Sequence, residues 1–275
     1  ARMACPLAFS TTDISNGNSG KNNDKYRSDV KKAAIGSGLS SKGVRYETIV
    51  AAVAVVAALV GSSASAFDPA HLTKLMQTNE CAGCDLTGAN LSNGNFSDAD
   101  LSKANLNGAI FRNTILAHTN LSEANLSKAN LSNTALIETN FNAAKLNHAD
   151  LSNANLLGAN LVYANLMHAN LSNANLSDTK LKDANLSNAN LSGVKSGSIT
   201  GTPTLPEFYS LFAGYLLGPN TDLSSNDLSN LDLSLKDLRN ANLTGANLIR
   251  VDLSGTNLSY ALLNKANLSG ANLNG

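Results

Sequence analysis

Ala169-Asn170-Leu171-Ser172-Asn173-Ala174-Asn175-Leu176-Ser177-Asp178 is one five-residue phrase, Ala-Asn-Leu-Ser-Xaa, spoken twice. Outward from it, the central apolar residue, position i, recurs at Leu86, Leu91, Phe96, Leu101, Leu106 and Phe111 and every five residues on to Leu191, about 22 units. A second series runs from Leu223 to Leu273, about 11 more. Position i−2 is mostly Ala, as at Ala89, Ala99, Ala104, Ala124, Ala154, Ala159 and Ala184, with Thr at Thr114, Thr119, Thr134, Thr139 and Thr179. A period of five fits neither the 3.6 of a helix nor the 2.0 of a strand. The chain must therefore turn a corner once per unit and stack the coils that result.

The pattern A(D/N)LXX, held over roughly residues 81–275, resembles the pentapeptide-repeat family. That resemblance implies an all-β fold, a right-handed quadrilateral β-helix, with four units to a square coil. It also implies that i and i−2 point inward while the other three positions face solvent. Coils stacked at about 4.8 Å pile Leu on Leu and Ala on Ala, and backbone groups pair from coil to coil. The i−2 residue must be small, because a second large side chain does not fit inside the square.

Composition agrees. Aromatic residues are 5% and Trp is absent, which suits a thin core. With 20 basic and 20 acidic groups the balanced charge offers no field to steer nucleic acid.

The first 80 residues are different in kind. Residues 1–45 are rich in Ser, Gly, Asn and Lys and lack apolar periodicity, so they read as a flexible or extended region on the stromal side. Residues 46–66 carry an apolar stretch, Ile49 to Ala66, including Ile49, Val53, Val56, Leu59 and Val60. Lys42 and Arg45 precede it, and Ala64-Ser65-Ala66 is a small-residue cleavage signature, the layout of an export signal. Either the segment is removed after Ala66, or it is kept as a single span, since at about 1.5 Å per residue it just crosses a bilayer core. A start at Ala1 rather than Met, with the apolar stretch still present, favours retention. A Ser/Lys-rich leader before a second, export-type signal resembles the bipartite presequence of thylakoid-lumen proteins; a bacterial periplasmic protein is the alternative.

Residues 67–80 predict a capping helix. Asp68-Pro69 supplies an N-cap and a first-turn Pro, and Leu72, Leu75 and Met76 share a face. His71 and Lys74 fall off that face and are expected in solvent. Counting back from Leu86, Cys81 holds an i position and Cys84 an i−2 position, so both point into the first coil. They read as a disulfide or as reduced core thiols, with no partner motif for a closed zinc site. Cys5 has no evident partner.

His118, His148 and His168 all occupy i+2, and His148 and His168 are one coil apart in a column with Lys128 and Asn188. A solvated pair is expected, because that column offers no third metal ligand. No catalytic set and no phosphate loop can be assembled. An enzyme is not expected, nor a cofactor of its own, although chlorophyll or carotenoid would be a neighbour inside a photosystem complex.

The first solenoid segment is expected over 81–193, an insert over 194–220 and a second segment over 221–275. The dense apolar residues of the insert, bounded by Gly and Pro, predict short strands or a hairpin on the solenoid wall. Phe208, Leu211, Phe212, Tyr215 and Leu217 either pack on the coil and bridge the change of register or dock a partner; Tyr209 belongs to the same candidate surface. Beyond the insert, i−2 becomes Asn226, Leu231 and Lys236, which a square core does not welcome. The coil there is distorted, or the insert leaves those residues exposed. Elsewhere the outward apolar residues Ile137, Leu157, Val162, Tyr163 and Met167 form the other candidate partner surface. The last coil, ending at Gly275 without a helix, is expected to be covered by a partner or kept apart by its polar edge.

Three functional readings follow. One is a non-enzymatic scaffold of the thylakoid lumen, membrane-anchored through residues 46–66 and bound to photosystem or antenna subunits. Another is a soluble lumenal assembly or regulatory protein. The third, a DNA-mimicking protector of topoisomerase, is a role the resemblance allows, but it wants long acidic columns where this chain is mostly neutral.

Overall fold

A computed structural model of the chain describes residues 67–275. The leader and the apolar segment with Ile49, Val53, Val56, Leu59 and Val60 lie outside the described residues. Among the described residues no helix is long and apolar enough to cross a membrane.

Each five-residue unit closes its backbone the same way. The N–H of residue i donates to the next coil, as Leu86 does to the Asn105 carbonyl at 2.8 Å, and Asn105 N–H donates back to the Cys84 carbonyl at 2.8 Å. The i+2 N–H also reaches across, from Gly88 to Asn107 at 2.9 Å, while Ala89 N–H closes the corner onto the Leu86 carbonyl at 3.0 Å. Parallel bridges thus join residues 20 apart, from Glu80–Asp100 up to Lys180–Thr200. Four units make a coil and four walls stand around the core. We number the walls from the units of Leu86, Leu91, Phe96 and Leu101.

The core is the i and i−2 columns. Leu86, Leu106, Leu126 and Leu146 are fully buried in one column, with Ala104, Ala124 and Ala144 in another. Thr at i−2 keeps its hydroxyl bonded rather than stranded: Thr119 Oγ1 donates to the Phe96 carbonyl at 2.8 Å, and Thr139 Oγ1 to Leu116 at 2.7 Å, each one coil below. No buried side-chain polar atom among the described residues lacks a partner, as burial demands.

The corners explain the i+2 residues. Position i+2 is left-handed throughout, with Asn93 at φ 61°, Lys103 at 58° and Tyr163 at 59°. A turn with positive φ at its third residue favours Gly and Asn and penalises a branched Cβ. No Val, Ile or Thr stands at i+2 in the two segments.

Position i−1 does not simply face solvent: its Asn and Asp side chains are mostly half-buried and stack in ladders. Their Oδ1 accepts the N–H two residues on, as Asn120 from Ser122 at 3.2 Å, and their Nδ2 donates to the rung below. An amide that both donates and accepts is what a stack of identical rungs needs.

Helix α1, Pro69–Thr78, lids the first coil with Leu72 and Leu75. Asp68 accepts from Ala70 N–H at 2.8 Å, and Asn79 ends the helix in the left-handed region. His71 is not simply solvated: its Nδ1 accepts the Asp85 N–H at 3.0 Å, tying α1 to the coil. Lys74 is exposed as expected.

The insert starts later than position 194. Val194 and Ile199 stay in the core, and bridges continue through Lys180–Thr200 to Asn185–Thr204. Gly201, at φ 109°, backs onto the Lys182 main chain where a Cβ would collide. A hairpin follows, β1 (Ser210–Phe212) against β2 (Tyr215–Leu217), turned by Ala213 and Gly214 with φ 49° and 84°. Two positive φ values make the tight reversal whose twist suits a hairpin. The chain re-enters the solenoid where Asp222 bridges Lys195.

Candidate functional site

Among the described residues no group of three or more His, Cys, Asp or Glu side chains is placed to hold a metal ion. What the fold does build is long flat walls, so a site must be sought in the few places where a wall stops being Asn, Ser and Asp.

The third wall does so most. Its i−1 ladder, Asn95, Ile115, Ala135, Asn155 and Asn175, loses its amides at Ile115 and Ala135. Beside that gap, in the i+1 column, stand Ala117, Ile137 and Leu157. Ile115 is 43% exposed, and Ile137 and Leu157 are half-buried, so a contiguous apolar strip lies on this wall. Ile115 lies outside the apolar residues expected to form a partner surface; its sequence signal is a branched apolar residue at i−1, where the repeat has Asn.

One edge of the strip is acidic. The i+2 column of the same wall runs Asp98, His118, Glu138, Gly158 and Asp178, with His118 Nδ1 3.4 Å from Glu138 Oε2. From Asn95 to Asp178 the wall carries no Lys or Arg. Two units away around the coil, on the opposite wall, Lys128, Lys145, His148 and His168 occur with a single carboxylate, Asp85, at the lower end. The zero net charge of the chain therefore conceals an uneven distribution across the solenoid.

The remaining candidates scatter. Val162 and the exposed Tyr163 lie on the fourth wall, where Lys182 Nζ sits 5.9 Å from the Tyr163 ring centre, and Met167 lies on the first. These three do not join the strip of Ile137 and Leu157.

The insert mostly spends its apolar residues on packing. Leu216 and Leu217 are buried, the latter among Leu223, Leu228 and Leu233. Leu211 is half-buried. Tyr215 Oη donates to the Asp227 carbonyl at 2.9 Å and Tyr209 Oη to Pro219 at 2.7 Å. Burial pushes both phenols up from their ordinary values. Leu216 N–H is held by Ser196 Oγ at 3.0 Å. The unusual i−2 residues serve this junction: Asn226 Nδ2 donates to the Ser196 carbonyl at 3.2 Å, Leu231 packs on the second core, and Lys236 Nζ lies 6.0 Å from the Phe212 ring centre. Phe208, 61% exposed, and Phe212, 38% exposed, are what the insert leaves outside.

Cys81 and Cys84 form a disulfide inside the first coil, both buried beneath α1. His148 and His168 are exposed and their rings stack, centroids 4.9 Å apart and planes within 8°. Carboxylates cluster as acceptors instead of as acids. Asp85, Asp100, Asp227 and Asp232 are held below the ordinary carboxylate value chiefly by hydrogen bonds from Thr87, Ser102, Ser229 and Ser234, and Asp237 by Arg239.

Comparison with known proteins bears on the same residues. A family profile described as a pentapeptide repeat region matches residues 76–161, and one described as pentapeptide repeats matches 159–195 and 237–275 in eight copies. No curated protein matches. Among solved structures, a pentapeptide repeat protein, Rfr23, from the cyanobacterium Cyanothece 51142 is 32% identical, with 50% of this chain and 97% of that one covered and a TM-score of 0.18. HetL, a pentapeptide repeat protein involved in heterocyst differentiation regulation in the cyanobacterium Nostoc sp. strain PCC 7120, is 28% identical over 69% of this chain and 89% of that one, TM-score 0.28. A pentapeptide repeat protein from the thylakoid lumen of Arabidopsis thaliana is 26% identical over 38% of this chain and 70% of that one, TM-score 0.22.

Proposed function

The chain belongs to the pentapeptide-repeat family, and from that premise we propose that it is a non-enzymatic interaction protein, a stiff scaffold that offers its third wall to another protein. The observation that carries this reading is the strip of Ile115, Ile137 and Leu157, set where the Asn ladder is interrupted and edged by Asp98, Glu138 and Asp178. A partner that fits has an apolar centre with Lys or Arg along one side, because its charges would meet the carboxylates while its apolar groups cover the strip. The solenoid supports the role by rigidity: its walls are already ordered, so docking costs little conformational entropy.

The place we assign to it is the plastid thylakoid, with the repeats in the lumen, and the partners we assign are photosystem or antenna subunits. Chlorophyll or carotenoid would be neighbours there, held by the partners. The support for this place is the sequence ahead of Phe67, a Ser/Lys-rich leader followed by an apolar segment with a small-residue cleavage signature. Retention of residues 46–66 makes it a membrane-anchored subunit, and cleavage after Ala66 makes it a soluble lumenal assembly or regulatory protein.

The test is affinity purification of the tagged chain from solubilised thylakoids, with its mature N-terminus sequenced from the same material. Photosystem or antenna subunits should co-purify, and fewer should do so from a variant carrying Ile137→Asn and Leu157→Asn. Recovery from the soluble lumen fraction with an N-terminus at Phe67 would remove the anchor. Undiminished recovery of partners on the double variant would remove the third wall as the docking site.

A further inference from the structure

His148 and His168 occupy the same position of the repeat on consecutive coils. Their backbones are nearly identical, φ 59° and 60°, and each is pinned to the coil above, His148 N–H to the Met167 carbonyl at 3.0 Å and His168 N–H to Ser187 at 3.1 Å. The two side chains therefore leave a fixed framework in the same direction. Their rings end up parallel and 4.9 Å apart, both exposed.

We propose that this pair is a two-imidazole site for a divalent transition metal, with Cu2+ bound ahead of Ni2+ and Zn2+. The inference is independent of the interaction reading above. Neutral imidazole is a ligand for these ions, and at a nitrogen site of given geometry Cu2+ binds most tightly. Metal–nitrogen bonds of about 2.0–2.1 Å require the two rings to tilt from parallel toward a shared ion. Because both rings are exposed, that motion displaces only water. The fixed spacing of the coils replaces the loop ordering that a flexible chelate must undergo on binding.

The surroundings decide which ions are excluded. The i+1 and i+2 columns around the pair hold Asn147, Met167, Asn188 and Lys128 and contain no carboxylate. Oxygen-seeking Ca2+ and Mg2+ therefore find no charged ligand. Lys128, directly below His148, and Lys145 on the same wall oppose any dication, and the nearest carboxylate in sequence, Asp150, is engaged on the second wall by Ser152 N–H at 3.1 Å and Asn170 Nδ2 at 3.0 Å. The site thus depends on the imidazoles themselves, with the remaining coordination positions open to water or to a ligand brought by another molecule.

The experiment is titration of the full chain, carrying Cys5→Ser so that no thiol at position 5 competes for the ion, with CuCl2 near pH 7.5, read by calorimetry and electron paramagnetic resonance. One Cu2+ should bind with the hyperfine signature of two imidazole nitrogens. His148→Asn or His168→Asn should weaken it at least tenfold, and His118→Asn should leave it unchanged. Asn suits the left-handed backbone at both positions, so the variants should melt like the parent. Zn2+ should compete for the same site more weakly. Equal Cu2+ binding by the His148→Asn, His168→Asn double variant, or a one-nitrogen signal in the parent, would overturn the proposal.

Discussion

Asn120 Nδ2 donates to Asp100 Oδ1, one coil nearer the N-terminus, at 3.1 Å, and every rung-to-rung bond of the i−1 ladders runs in that direction. Asn140 donates to Asn120 at 3.1 Å and Asn160 to Asn140 at 3.1 Å; elsewhere Asn170 donates to Asp150 at 3.0 Å and Asn242 to Asp222 at 3.1 Å. A carboxylate accepts and cannot donate. Asp therefore stands where a rung accepts from the next coil and has nothing to donate to the one before, as at Asp85, Asp100, Asp150, Asp222, Asp227 and Asp252, while a rung bonded on both sides, such as Asn120 or Asn140, requires an amide.

That polarity separates two otherwise similar substitutions. Asn140→Asp places an acceptor over the Asn120 oxygen and should destabilise the solenoid by about 1–3 kcal/mol at neutral pH, the cost of a half-buried polar group left facing the wrong partner. The deficit should shrink in acid, since a protonated carboxyl donates again. Denaturant melts of Asn140→Asp and Asp100→Asn at pH 7 check it; equal stability of the two variants would mean that ladder direction is unimportant.

Acid should act on the Asp rungs. Asp100 accepts Ser102 N–H at 3.0 Å as well as Asn120 Nδ2, and the Ser102 hydrogen bonds hold its folded value below the ordinary 3.8. A lowered folded value means that the contribution is complete above 3.8 and disappears as pH falls through the folded value. Asp85, Asp227, Asp232 and Asp237 add in the same direction. Melting temperature should decline below about pH 4, and Asp100→Asn should decline less steeply than the parent between pH 7 and pH 3. Parallel curves would count against this assignment.

Corner geometry makes a second contrast. Ala143 is exposed at i+2 with φ 55°. For an L-residue that conformation costs about 1–2 kcal/mol, and Gly avoids it while adding about 0.5–1 kcal/mol of chain entropy. Ala143→Gly should therefore be neutral to stabilising by up to about 1 kcal/mol, and Ala143→Val destabilising by more than that. A Val variant as stable as the Gly variant would show that the corner relaxes.

These corners mark a limit of reading the chain as letters. The five-residue spacing is visible without coordinates and sets the register of Cys81, Cys84 and the Leu and Ala columns; that this register faces inward is what the family resemblance implies, and those columns are buried. It does not reveal that i+2 is left-handed, although the frequency of Gly and Asn there and the absence of Val, Ile and Thr were signs of it. Ile115 is not legible from sequence, because an apolar residue at i−1 signifies something only once i−1 is known to be an amide ladder. The return at Asp222 on Lys195, 3.9 Å apart at their charged ends, was out of reach because it depends on how a hairpin with no repeat pattern packs on two coils.

The insert supplies the remaining prediction, because its two expected roles fall on different residues. Leu217 is buried in the core of the second segment, so Leu217→Ala should cost about 2–5 kcal/mol through lost burial and the cavity left behind. Phe208 makes no such investment, and Phe208→Ser should change stability by less than about 0.5 kcal/mol, the usual range for a surface site. Unfolding of the two variants by guanidinium chloride resolves them. If Phe208→Ser alone also lowers recovery of partner proteins, the hairpin carries a docking function beyond bridging the register. If recovery is unchanged, Phe208 is an exposed residue of a structural splice, and the third wall remains the surface to which partners must be mapped.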